Sequence, residues 1–68
     1  MILSDGRFAT VYFIKVGHLL AAEDSNPMYQ AVKLINQVVK IDDEFPTIED
    51  ILELNVEDFH KIMNSISK

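Results

Sequence analysis

A chain of 68 residues holds one domain at most, and a core of that size rarely supplies more than about 3–5 kcal/mol of net stability. With no cysteine, neither a disulfide nor a thiolate metal site can add to it, so packing and association with a partner or a second copy are left. The formal net charge of -5 is concentrated late: Asp42, Asp43, Glu44, Glu49, Asp50, Glu53, Glu57 and Asp58 stand between Ile41 and Phe59 with no Lys or Arg among them, and the scattered Arg7, Lys15, Lys33 and Lys40 exclude the basic cluster that nucleic acid requires.

No apolar run nears the roughly 20 residues of a membrane span, and Met1-Ile2-Leu3-Ser4-Asp5 lacks the basic start and apolar stretch of a signal peptide. A cytoplasmic protein is expected. In chain order, Asp5-Gly6 between apolar runs predicts a β-hairpin over residues 1–14, closed by a two-residue type I′ turn. That register sets Leu3 opposite Phe8 and Ile2 opposite Ala9, and leaves Val11 to Ile14 without a mate in the hairpin. From Val16 the apolar period becomes helical, and helices are predicted over 16–24, 27–40, 47–53 and 55–66. Asn26 caps the second, Pro27 opens it, and Met28, Ala31, Val32, Leu34, Ile35, Val38 and Val39 form its apolar stripe, with Gln30, Lys33, Asn36, Gln37 and Lys40 opposite. Ile41 to Pro46 reads as a turn in which Asp tolerates left-handed geometry. Thr47 with Asp50 resembles a capping box, with Ile48, Ile51 and Leu52 on one face. The last helix, after Asn55, carries Val56, Phe59, Ile62, Met63 and Ile66 on its apolar side. The whole chain, 1–68, is therefore expected to be a single domain of the α+β class, mostly α, with a hairpin over 1–14 and a helical part over 16–66.

The polar residues assemble no recognisable chemistry. Asp42-Asp43-Glu44 lacks the alternating ligands, central Gly and terminal Glu of a calcium loop. His18 and His60 belong to no two-histidine motif, the serines sit in no nucleophile elbow, and Gly6 and Gly17 are too far apart to cradle phosphate. No catalytic, cofactor or metal residue is expected, and Met28 and Met63 read as core. The strand from Phe8 to Ile14 is different. Its neighbours Tyr12 and Phe13 point to opposite faces and cannot both enter one core, so Val11, Tyr12, Phe13 and Ile14 are the candidate partner-binding residues, either for another protein or for a second copy of the chain.

The order of segments, Leu3-Ser4-Asp5-Gly6-Arg7, Lys15-Val16-Gly17-His18-Leu19-Leu20-Ala21-Ala22-Glu23, a wide apolar helix, Ile41-Asp42-Asp43, Thr47-Ile48-Glu49-Asp50-Ile51-Leu52-Glu53-Leu54 and finally Glu57-Asp58-Phe59, resembles the tail assembly chaperones of Mu-like and other contractile-tailed bacteriophages. The resemblance covers nearly the whole chain and lies in turns, caps and apolar faces. It implies a non-enzymatic protein of a phage or prophage that acts in the host cytoplasm and binds the tape measure protein, keeping it soluble while tail tube protein polymerises around it. The family has an acidic residue where His18 stands, a Gly where Asp43 stands, and a longer N-terminal strand than Met1-Ile2-Leu3. A structural subunit retained in the tail, using the same strand edge, is the second expectation.

Overall fold

The computed structural model describes residues 1–66. Its elements are β1 (Ala9–Val11), α1 (Val16–Ala21), α2 (Pro27–Val38), β2 (Val39–Ile41), α3 (Ile48–Leu52) and α4 (Val56–Ile66), an α+β arrangement that is mostly α. The class is the one expected. The hairpin, the end of α2 and parts of three apolar faces differ from expectation.

In the hairpin Ile2, not Leu3, bridges Phe8. The Leu3 N–H donates to the Arg7 carbonyl at 2.8 Å, and Met1 and Ala9 exchange two bonds of 2.8 Å. The loop is therefore Ser4-Asp5-Gly6, closed by the Gly6 N–H on the Leu3 carbonyl at 3.0 Å, with Gly6 at φ 90. A three-residue loop with a left-handed glycine at its end replaces the two-residue turn, and the register slips by one. Burial explains the choice. The slip puts Leu3 and Ala9 on one face, where they are 2% and 1% exposed, and turns Phe8 outward; the expected register would have paired Leu3 with Phe8 and turned Ala9 away.

β1 pairs antiparallel with β2 in the register Ala9 with Ile41, Thr10 with Lys40 and Val11 with Val39. Residues 39 and 40, expected in the helix, are strand: α2 passes into β2 with no intervening loop. Val38 and Val39 are both buried, so the apolar run continues unchanged across the switch and hides it. The type I′ geometry expected at Asp5-Gly6 occurs after β2 instead. Asp42 and Asp43 have φ 52 and 66, and Ile41 and Glu44 exchange bonds of 2.8 and 3.2 Å around them. Asp42 also grips β1, since its N–H donates to the Phe8 carbonyl and its carboxylate accepts from the Phe8 N–H.

α2 is central. Asn26 Oδ1 caps it by accepting from the Met28 and Tyr29 N–H groups, and Val32, Leu34, Ile35 and Val38 are buried against Leu3, Ala9, Ala22, Val39, Ile41, Ile51 and Ile62. Its polar side clamps neighbours. Asn36 Nδ2 donates to the Pro46 carbonyl at 2.7 Å and Gln37 Nε2 to the His18 carbonyl at 3.1 Å, while Lys33 pairs with Asp24 at 3.2 Å. The expected capping box on α3 is present, Thr47 and Asp50 each accepting from the other's N–H. Asn55 Oδ1 accepts from the Asp58 N–H at the start of α4. Met28, Leu52 and Val56, read as core, are exposed, and no residue within α1 is buried. Each exposed residue belongs to a face too wide for the small core to cover.

Candidate partner-binding surface

Strand alternation sorts the sheet's side chains. Ala9, Val11, Val39 and Ile41 turn toward the core, so Thr10 and Lys40 turn outward. Phe8 and Tyr12, two positions either side of Thr10, share that outer face, and Ile2 joins them through its bridge to Phe8. Lys40, expected on a helix, lies between two rings, its Nζ 5.6 Å from the Tyr12 centroid and 5.2 Å from that of Phe45, a cation–π arrangement that fixes both aromatics. Ile2, Phe8, Tyr12 and Phe45 remain largely exposed. The outer face is apolar surface that the core does not use.

The four candidate residues are brought together. Val11 is half-buried opposite Val39, Tyr12 lies on the outer face, Ile14 packs partly on the core and Phe13 is 94% exposed. With Thr10, Ser65 and Ile66 they line an open trough of about 490 Å³ between the strand and the end of α4. A second trough of about 310 Å³ continues past Val11 along Ala9, Phe8 and Met1. Ser65, Lys40 and Phe45 carry no sequence signal of a binding role. Ile66 reads only as part of an apolar helix stripe, and nothing local signals that the end of α4 abuts β1.

Val11 to Ile14 have no mate within the hairpin, as expected, but β2 takes up one edge from outside it. β2 pairs with Val11, and the Tyr12 N–H donates to the Val38 carbonyl at 2.7 Å. Antiparallel ladders use alternate peptide groups on each edge. Phe8 and Tyr12 bond toward β2, whereas Arg7 and Ala9 bond toward Leu3 and Met1. The N–H and C=O of Val11 therefore point to the edge away from β2, one step beyond Met1, and among the described residues no strand covers them. Among the described residues, the Phe13 N–H has no backbone acceptor either.

Among the described residues, no charged side chain lines the larger trough. Charge lies elsewhere. The Asp5 carboxyl is held below its ordinary value chiefly by the Arg7 N–H, with the Arg7 guanidinium adding to it, and that of Asp24 by the Asn26 N–H and then Lys33. His18 Nδ1 accepts from the Lys15 N–H at 3.0 Å and starts α1, the task an acidic residue performs in a capping box. Among the described residues, no hydrogen bond or ion pair joins either histidine to a serine or a carboxylate. Apolar side chains beside open peptide groups form a surface suited to polypeptide. Compared with protein-family models, with curated proteins and with solved structures, the chain matches none.

Proposed function

We propose that the protein is a phage or prophage tail assembly chaperone, without enzymatic activity, that binds the tape measure protein in the bacterial cytoplasm while tail tube protein assembles. The observation that carries the reading is the pairing of an acidic chain with spare apolar surface: Phe13 is 94% exposed, and Tyr12, Phe8 and Phe45 stand half-open on the outer face of the sheet, on a molecule of net charge -5. Apolar surface of this kind covers the apolar stripes of a long client, and the charge keeps the pair dissolved. The family resemblance in turns, caps and apolar faces supplies the client's identity. No cofactor is required, and neither nucleic acid nor membrane is a partner. Co-expression with the tape measure protein of the same phage tests it. The tape measure should be soluble with this chain and aggregated without it, and equal aggregation in both would refute the reading.

The open edge at Val11 and Phe13 favours a second reading, a subunit that stays in the tail and uses that edge to join its neighbours. Mass spectrometry of purified virions separates the two. A chaperone is absent from the particle and a subunit is present in stoichiometric amount.

A further inference from the structure

We infer that the Asp5-Gly6 bond is a modification site, at which the main chain passes through a succinimide to isoaspartate, and that the folded hairpin loop holds this site closed. Asp5 is the only aspartate or asparagine of the chain that is followed by glycine. Glycine has no Cβ to hinder its own nitrogen, and the space beside Gly6 is open, with nothing within 4 Å of where a Cβ would stand. Ser4, Asp5 and Gly6 are all exposed. In the reaction the Gly6 nitrogen attacks Asp5 Cγ. A new N–Cγ bond replaces a Cγ–O bond, and the hydroxyl of the protonated carboxyl leaves with the amide proton as water. Water then opens the ring. Attack at the main-chain carbonyl carbon of Asp5 breaks its bond to Gly6 and leaves the chain running through Cγ, whereas attack at Cγ restores aspartate. Nothing is oxidised or reduced, and water is the only co-reactant.

The folded loop opposes each requirement. The nucleophile's N–H is given to the Leu3 carbonyl at 3.0 Å. The electrophile is turned toward Arg7, Asp5 Oδ1 accepting from the Arg7 N–H at 3.1 Å and Oδ2 from Arg7 Nε at 2.6 Å. Those contacts favour the carboxylate over the neutral acid, the form that can lose a hydroxyl. The loop is also fastened from α4, where the buried Asp58 accepts from the Ser4 N–H and hydroxyl. Reaction therefore waits on local opening of the hairpin. Its product cannot close in the same way. An extra methylene enters the main chain within the loop Ser4-Asp5-Gly6, whose length places Leu3 and Ala9 together in the core.

The test incubates the full chain in mildly acidic buffer, with and without denaturing urea. Isoaspartate is located by mass spectrometry after digestion with an endoproteinase that cuts before aspartate and spares isoaspartate. It should form at Asp5 at least ~10-fold faster in urea than in the native chain. Arg7→Ala should speed the native reaction ~2–5-fold, the range an exposed ion pair accounts for. Asp58→Ala should speed it at least ~10-fold, through loss of two bonds to a charged group; should that variant fail to fold, Arg7→Ala and the urea comparison carry the test. The isolated isomer should exchange its Leu3 and Ala9 amides faster than the parent and melt at a lower temperature. Equal rates with and without urea, or native rates unchanged in both variants, overturn the protection by the loop. Isoaspartate absent from Asp5 in urea, or formed faster at another residue, overturns the site. An isomer with the parent's exchange and melting overturns the stated effect on the hairpin.

Discussion

Asp58 does more than its place in an acidic helix start suggests. It is 3% exposed, and its two carboxylate oxygens accept from the Ser4 N–H at 2.9 Å and the Ser4 hydroxyl at 2.7 Å, so α4 holds the hairpin loop through one side chain. Hydrogen bonds to a buried charged group are worth about 1.5–3 kcal/mol. Asp58→Ala should lower the unfolding free energy in urea by about 2–3 kcal/mol, Ser4→Ala by about 1–2, and the double variant by less than their sum. The two aspartates of the left-handed turn should part company under the same assay. Asp43→Gly relieves a conformation that side chains resist and should stabilise by about 0.5–1 kcal/mol. Asp42→Gly gives up the bond to the Phe8 N–H and should destabilise. Asp24 carries a pH signature: its folded pKa lies below the ordinary 3.8, so the unfolded chain binds the proton first, and the stability it contributes is full above that value and lost as pH falls through the lower folded value. Asp24→Asn should flatten the fall of the urea midpoint in that acid range.

Among the elements, α1 is the weakest and α2 the strongest. Six residues make α1 and none is buried within it, far short of the roughly 12 or more that an isolated helix needs, so it depends on Gln37, Lys33 and the buried Ala22 beside it. Amide exchange should open Val16 to Ala21 well before α2, and Gln37→Ala should widen the gap. Ile35, at 0% exposure, sits at the other extreme. Ile35→Asp should abolish cooperative thermal melting, because an unpaired buried charge costs several kcal/mol against a stability of only a few. The helices were legible because Asn26-Pro27 and Thr47 with Asp50 announce starts in the sequence itself. β2 was not, because Val38-Val39 is apolar in helix and strand alike, and only the pairing with Val11 selects the strand. The hairpin was half legible: Asp5-Gly6 marks a turn, but two loop lengths fit it, and the burial of Leu3 with Ala9 chooses between them. The candidate strand was picked out by the unmatched lengths of the hairpin's two runs. Which of its peptide groups stay open could not, since that depends on β2. A proline at Tyr12 accordingly breaks the internal bond to Val38, while one at Phe13 spares it.

For the whole molecule, the proposed solubility and binding would draw on the same few features. Spare apolar surface is kept dispersed by net charge, which vanishes near the pI of about 4.7. Light scattering should show association peaking near that pH and receding on either side, and Phe13→Ser should reduce the peak. The troughs along β1 are framed by Met1 at one end and by Ser65 and Ile66 on the flank, so Met1 and the last described turn of α4 both border the candidate surface. Foreign residues fused before Met1 would start at the rim of the trough that Met1 lines with Phe8, Ala9, Thr10 and Val11. An amino-terminal affinity handle would thus crowd the candidate surface, and a carboxy-terminal or cleaved handle is the fairer choice for the solubility assay.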